Sequence, residues 1–221
     1  MFFITLDKIK LILYNNLLLI LEEKTNKPIQ QGGHTMTQRR FTKKFEDEIW
    51  QFLKHARANT YASGTPTKPD LVNIGFEMYE FKCGVWLYRD RFAGSRLAGG
   101  QEVVWYRGRP VWYMNYGGGM GDNYLSDRKK TKPTFKFLKQ VILQESEKFQ
   151  PRGPAEIKIG DWRYECWQYM TEYMADANIV KNADEDEWNI REFSGYEVIF
   201  GPESCAFARF IHRFHGGIIM R

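Results

Sequence analysis

The sequence predicts an α+β protein that is internally duplicated: a helix plus a four-stranded antiparallel sheet, made twice, the units related by a pseudo-twofold axis. Three observations predict it. Phe52-Leu53-Lys54 recurs as Phe137-Leu138-Lys139, Pro66 and Pro69 as Pro151 and Pro154, Ile74-Gly75 as Ile159-Gly160, and Tyr79-Glu80 as Tyr164-Glu165, every pair 85 positions apart. The order of helical, proline-rich and strand-like segments is the same in both copies. The offset then grows to 95 between Gly100-Gln101-Glu102-Val103 and Gly195-Tyr196-Glu197-Val198, and to 99 between Tyr116-Gly117-Gly118 and His215-Gly216-Gly217. The added residues fall around Asn182 to Glu192 and Gly201 to Cys205, where acidic and Gly-Pro sequences mark loops that tolerate insertion.

Each element has a local cause. Phe45, Ile49, Phe52, Leu53 and Ala56 recur at spacings of 3 and 4, which places one apolar stripe on a helix over Phe45 to Ala58. Gly64, Pro66 and Pro69 make Thr60 to Pro69 a loop. Strands are expected at Gly75 to Phe81, Val85 to Arg91, Glu102 to Tyr106 and Pro110 to Tyr116, with a tight hairpin turn at Arg107-Gly108. The glycine run Gly117 to Gly121 ends the first unit. The second repeats the order: a helix over Pro133 to Lys148, a loop at Pro151 to Pro154, and strands at Arg163 to Gln168, Tyr169 to Met174, Glu197 to Phe200 and Phe207 to Phe214, closed by Gly216-Gly217. Whether the two sheets merge or stay separate is left open by the pattern. The organisation read from it is an extension and linker at 1–40, a first unit at 41–122 and a second at 123–221, with 41–221 one compact domain.

Composition bounds the function. Of the 221 residues 43% are hydrophobic and 16% aromatic, enough for a packed core and too much for a disordered chain. Net charge is +5, which permits contact with nucleic acid without demanding it. The basic residues gather at Arg39, Arg40, Lys43 and Lys44, and again at Arg128, Lys129, Lys130, Lys132, Lys136 and Lys139. A solvated helix face and a phosphate-binding patch both fit them. Cys83, Cys166 and Cys205 form neither a CxxC nor a Cys/His cluster, so neither a disulfide framework nor structural zinc is expected, and all three read as small apolar filler in a reducing cytoplasm. Phe2 to Leu21 is apolar but broken by Asp7, Lys8, Lys10, Asn15 and Asn16, so no membrane span is expected. Gly32-Gly33 shortly before Met36 suits a translated ribosome-binding sequence, which would make Met36 the initiator and the preceding residues a leader.

The chain resembles a known family. Phe52-Leu53 with Ala56 and Thr60-Tyr61-Ala62, Tyr88 with Asp90, Gly100 with Glu102 and Val104-Trp105, Pro110-Val111-Trp112 with Met114-Asn115-Tyr116, Arg152-Gly153-Pro154 and His215-Gly216-Gly217 carry the resemblance, over about Phe45 to Arg221. It is to an uncharacterised bacterial domain, a domain of unknown function commonly found C-terminal to an XRE-type helix-turn-helix in transcriptional regulators. The resemblance implies a regulatory context and no established activity. Residues 1–44 are too short and too poorly patterned to supply the helix-turn-helix itself.

The candidate site is polar and aromatic. Glu102 and Glu197 occupy equivalent repeat positions at the start of apolar runs, where a carboxylate can bind a ligand, or can pair with an arginine or with backbone N–H groups. Tyr88, Trp105, Trp112 and Tyr116 on neighbouring strands would wall a pocket for a cationic or planar ligand, although alternation sends Val103 and Trp105 to one face and Val104 and Tyr106 to the other. Asp90, Arg152 and His215 complete the set. Arg152 would clamp an anion or tie the proline loop to a carboxylate. The glycine run lacks the spacing of a phosphate loop, and no metal site or cofactor is expected. The reading that follows is a non-enzymatic effector-binding or protein-interaction module of bacterial regulation, with its ligand in a groove between the repeats. The ligand would be a small molecule of unknown identity, or the partner a protein. Two rivals are a toxin or phage-defence enzyme acting on a nucleotide or nucleic acid, and a nucleic-acid-binding protein using Arg128, Lys129, Lys130 and Lys132.

Overall fold

The structure is a computed structural model that describes residues 42–144, 148–168, 188–203 and 207–219. The chain divides at Arg40, and all described residues belong to the second unit, Phe41–Arg221. The expected leader, the Tyr169 to Met174 strand, the acidic insertion after Ala183 and Cys205 lie outside the described residues.

Helix α1 spans Lys43–Ala58. Thr42 caps it, its hydroxyl accepting from the Phe45 N–H at 3.3 Å. The apolar stripe works as the spacing predicts: Ile49, Leu53 and Ala56 are wholly buried. Burying a side chain such as Leu53 stabilises by about 1.5–3 kcal/mol. Helix α2 spans Arg128–Ile142 and begins before the expected Pro133, because the Asp127 carboxylate caps it by accepting from the Lys129 N–H at 3.0 Å. Pro133 therefore lies inside the helix.

The strands are β1 (Lys68–Pro69), β2 (Glu77–Cys83), β3 (Trp86–Gly94), β4 (Leu97–Tyr106), β5 (Arg109–Met120), β6 (Glu156–Ile159), β7 (Trp162–Gln168), β8 (Glu192–Phe200) and β9 (Phe210–Ile218). They form one nine-stranded sheet of order β1-β2-β3-β4-β5-β9-β8-β7-β6, with every neighbouring pair antiparallel. The Arg107-Gly108 hairpin has the positive φ values that such a turn requires, 50° and 77°.

This corrects the expected fold class. The protein is mostly a single nine-stranded antiparallel sheet with two described helices, not a pair of helix-plus-four-strand units with a groove between them. The cause lies in glycines that locally look like strand terminators. Strands β5 and β9 pair continuously from Trp112↔Ile218 to Met120↔Phe210, straight through Gly117 to Gly119 and Gly216-Gly217. Gly118 has φ 131°, and a Cβ there would collide with the Ile211 carbonyl; a Cβ on Gly216 would collide with the Tyr113 carbonyl. Glycine lets these backbones approach and prolongs the sheet.

Both helices lie on the same face of the sheet, which carries Tyr88, Asp90, Glu102, Val104, Trp112, Tyr164, Glu197, Phe210 and Phe214. Phe52 of α1 stacks on Trp86 at 5.3 Å and Phe137 of α2 on Trp162 at 5.2 Å. Trp112 stacks on Phe193 at 5.8 Å across the β5–β9 join, so the core is continuous there as well.

Candidate functional site

Strand alternation sets the site. In the β3–β4 register Asp90 stands directly opposite Glu102, so two carboxylates share one face. Like charges so placed repel unless a cation intervenes. Arg57 in the last turn of α1 supplies one: its Nε and Nη2 donate to Glu102 Oε2 at 3.0 and 2.7 Å. Arg152, from the proline loop before β6, supplies a second. Its Nη1 donates to Glu102 Oε1 at 3.1 Å and its Nε to Glu197 Oε1 at 2.9 Å. One guanidinium thus bridges the two glutamates, its planar fork matching both. Glu197 also accepts from the Tyr164 hydroxyl at 3.0 Å and lies 3.3 Å from His212 Nδ1. Asp90 accepts from the Tyr116 hydroxyl at 2.7 Å, and the Arg152 guanidinium lies 5.3 Å from the Tyr116 ring centre.

These contacts separate the carboxylates electrostatically. Burial alone would raise Glu197, but Arg152, His212 and Tyr164 outweigh it and bring its pKa down to about 2. Burial raises Asp90, the facing Glu102 adds to it, and the Tyr116 hydrogen bond with the more remote Arg152 and Arg57 only partly opposes them; Asp90 reaches about 7. Burial would lower Arg152, but Glu197 and Glu102 overcome it and hold the guanidinium charged. Burial lowers His212 against the pull of Glu197, and it pushes the Cys166 thiol up to about 12, which makes that thiol inert near neutrality. The Tyr88 hydroxyl is fully buried and has no hydrogen-bond partner among the described residues. Leaving such a group unmet costs about 1–3 kcal/mol.

A cavity of about 730 Å³ opens above this network, within the range of small-molecule sites. Its floor holds Tyr88, Asp90, Glu102 and Arg152. One wall is a chain of rings: Tyr61 lies edge-on to Tyr79 at 6.2 Å, and Tyr79 stacks on Phe92 at 5.7 Å. The other wall is a stripe of α2, where Arg128, Lys132, Phe135, Leu138 and Lys139 share a face at helical spacing. Lys139 lies 5.1 Å above the Tyr61 ring centre. Arg96 joins the basic side and donates to the Leu125 carbonyl, which fixes the β3–β4 turn against the segment leading into α2.

Of the candidates from sequence, Tyr88, Asp90, Glu102, Tyr116 and Arg152 line the cavity, and Glu197 is joined to it through Arg152. The Glu102 and Arg152 alternatives resolve as mutual pairing. Trp112 is on the same face but inside the core. Trp105 projects from the opposite face, 5.6 Å from the Arg89 guanidinium, as the alternation of β4 requires. His215 is exposed on that face too, 3.2 Å from Asn115. The basic cluster divides: Arg128 and Lys132 border the cavity and Lys129 points to solvent, while Lys130 pairs with Glu203 at 3.4 Å and Asp127 at 3.9 Å. Cys83 is exposed and is not the filler expected; Cys166 is buried. Sequence reasoning missed Arg57, Tyr61 and His212. The i,i+4 row from Leu53 to Arg57 was a signal, since it puts an arginine on the buried stripe of α1. Among the described residues no group of three His, Cys, Asp or Glu side chains could hold a metal ion, and no helix is long and apolar enough to cross a membrane.

Fold and site together define a protein built mostly of one nine-stranded antiparallel sheet, whose helix-covered face carries an ion-paired, aromatic-walled cavity. A family model for a domain of unknown function (DUF5680) matches residues 90–185, which include Asp90, Glu102, Tyr116 and Arg152. No curated protein and no solved structure matches the chain.

Proposed function

We propose that this protein is a non-enzymatic effector-binding module of a bacterial regulatory system and that the cavity above Asp90 holds the effector. The observation that carries the reading is an open, aromatic-walled cavity ending on a buried carboxyl that burial raises to about 7 and on the Tyr88 hydroxyl, which has no hydrogen-bond partner among the described residues. Such a combination suits a ligand that brings its own hydrogen-bonding edge. The regulatory context is supported by the resemblance to domains that follow a helix-turn-helix. Thermal shift of the full chain against a metabolite library tests the proposal. A compound at a hundred times its Kd stabilises by about 2.7 kcal/mol, a rise of several degrees for a domain of this size. The shift should shrink in Asp90→Asn. A library without hits, or hits indifferent to Asp90→Asn, would sink the reading.

A second reading rests on the same carboxyl. A group near pH 7 beside a tyrosine and two arginines is poised for proton transfer, as an enzyme acting on a nucleotide would need. Turnover of a bound nucleotide, abolished in Asp90→Asn while binding persists, would favour it over simple binding.

A further inference from the structure

The cavity is polar at both ends and apolar between, and the two ends differ in sign. At the inner end Tyr88 and Asp90 follow each other at alternate positions of β3 and face the same way. The Tyr88 hydroxyl has no partner among the described residues and is wholly buried. Asp90 Oδ1 is taken by Tyr116, while its second oxygen accepts no hydrogen bond among the described residues. At the outer end Arg96, Arg128 and Lys132 converge from the β3–β4 turn and the first turns of α2. Arg128 and Lys132 are exposed and have no ion-pair partner among the described residues. In the network beneath, by contrast, the charges of Arg57 and Arg152 are taken by Glu102 and Glu197. The outer cations are therefore available to an anion.

Length decides what joins the ends. Asp90 and Gly94, which stands at the basic end, are four residues apart on one strand, or about 13 Å at the rise of an extended chain. A single-ring aromatic acid is too short to meet both ends. A nucleobase, its sugar and one phosphate are long enough. The flat base would lie between Tyr79 with Phe92 and Phe135, its edge meeting Tyr88 and Asp90, and the phosphate would meet Arg128 and Lys132.

We propose that the cavity binds a nucleoside monophosphate, with the base held at Tyr88 and Asp90 and the phosphate at Arg128 and Lys132. The proposal rests on the effector-binding reading and names its ligand class. Isothermal titration of the full chain with AMP, GMP, CMP and UMP, with each parent nucleoside and with inorganic phosphate tests it. At least one monophosphate should bind, its nucleoside at least tenfold more weakly, and phosphate alone weaker still. The doubly charge-reversed variant Arg128→Glu/Lys132→Glu, altered only at exposed positions, should lose at least tenfold for the nucleotide and leave nucleoside affinity unchanged. Tyr88→Phe should weaken nucleotide and nucleoside by the same factor. Equal affinity for nucleoside and nucleotide, an unchanged nucleotide affinity in the double variant, or no binding by any of the four at millimolar concentration would overturn the proposal. A library compound without an anionic arm that binds in an Asp90-dependent way would leave the effector reading standing while this inference fell; a library with no binder would remove both.

Discussion

Asp90 and Glu197 lie on the same sheet face, both buried within one network of side chains, yet they are driven in opposite directions: Asp90 up to about 7 and Glu197 down to about 2. Burial is common to them and cannot be the difference. Partners are. Glu197 receives an arginine, a tyrosine and a histidine, whereas Asp90 receives one tyrosine and faces a second carboxylate across the β3–β4 register. Arg57 and Arg152 balance Glu102 and Glu197, which leaves Asp90 as the surplus acid. The comparison teaches that in a buried cluster the count of charges, more than depth, selects the group that titrates.

The largest effect should come from removing the hub. Arg152→Met leaves Glu102 with one arginine and Glu197 with none, and should cost about 3–5 kcal/mol in urea denaturation, as breaking a buried pair does. Arg152→Lys should recover only part of this, because a single ammonium cannot present two fixed donors to two carboxylates. Full recovery by lysine would mean that charge alone matters and the bridge does not.

Asp90→Asn comes next and separates the two acids by pH. Because Asp90 is raised from 3.8 to about 7 in the fold, the folded protein keeps a proton that the unfolded chain has released; the associated stability is present at low pH and lost as pH rises through about 7. Glu197 acts inversely: its contribution is present above about pH 4.5 and lost as pH falls towards 2. Wild type should therefore lose stability between about pH 4 and 7 through this group while Asp90→Asn does not, with the variant ahead by on the order of 2–4 kcal/mol at pH 8. Parallel pH profiles for the two proteins would contradict the surplus-charge account.

Tyr116→Phe should have the smallest effect, about 1 kcal/mol for one hydrogen bond. Its more telling consequence is a further rise in the Asp90 titration, readable by carboxyl-carbon NMR, because the lost hydroxyl supports the charged form. A fall in that titration would show that Tyr116 does not stabilise the carboxylate.

The sequence made some of this legible. The stripe Ile49, Phe52, Leu53, Ala56 is a helix because its period is helical, and Arg107-Gly108 is a turn because Gly108 adopts the positive φ that the turn needs. Tyr88, Asp90, Glu102, Tyr116 and Arg152 stand out in the sequence as polar and aromatic candidates, and they line one cavity. What was not legible depends on partners far away in sequence. A glycine that ends a strand and a glycine that admits a neighbouring strand look alike until the neighbour is known, so the merged sheet escaped. Alternation fixes that Trp105 and Glu102 face opposite ways, but only the helices packed on one side tell which of the two faces the cavity. Arg57 and Glu102 are 45 positions apart, and nothing in either local pattern names the other.

The β5–β9 join also governs how the chain must assemble. The register partners Asn115 and His215 are 100 positions apart, whereas the β2–β3, β3–β4 and β4–β5 ladders close through short hairpins. Closing so long a loop carries a larger entropic penalty, and non-local strand pairing is slow. During synthesis, strand β5 emerges well before β9 and presents an unpaired edge for that interval, the kind of surface on which nascent chains stick to one another.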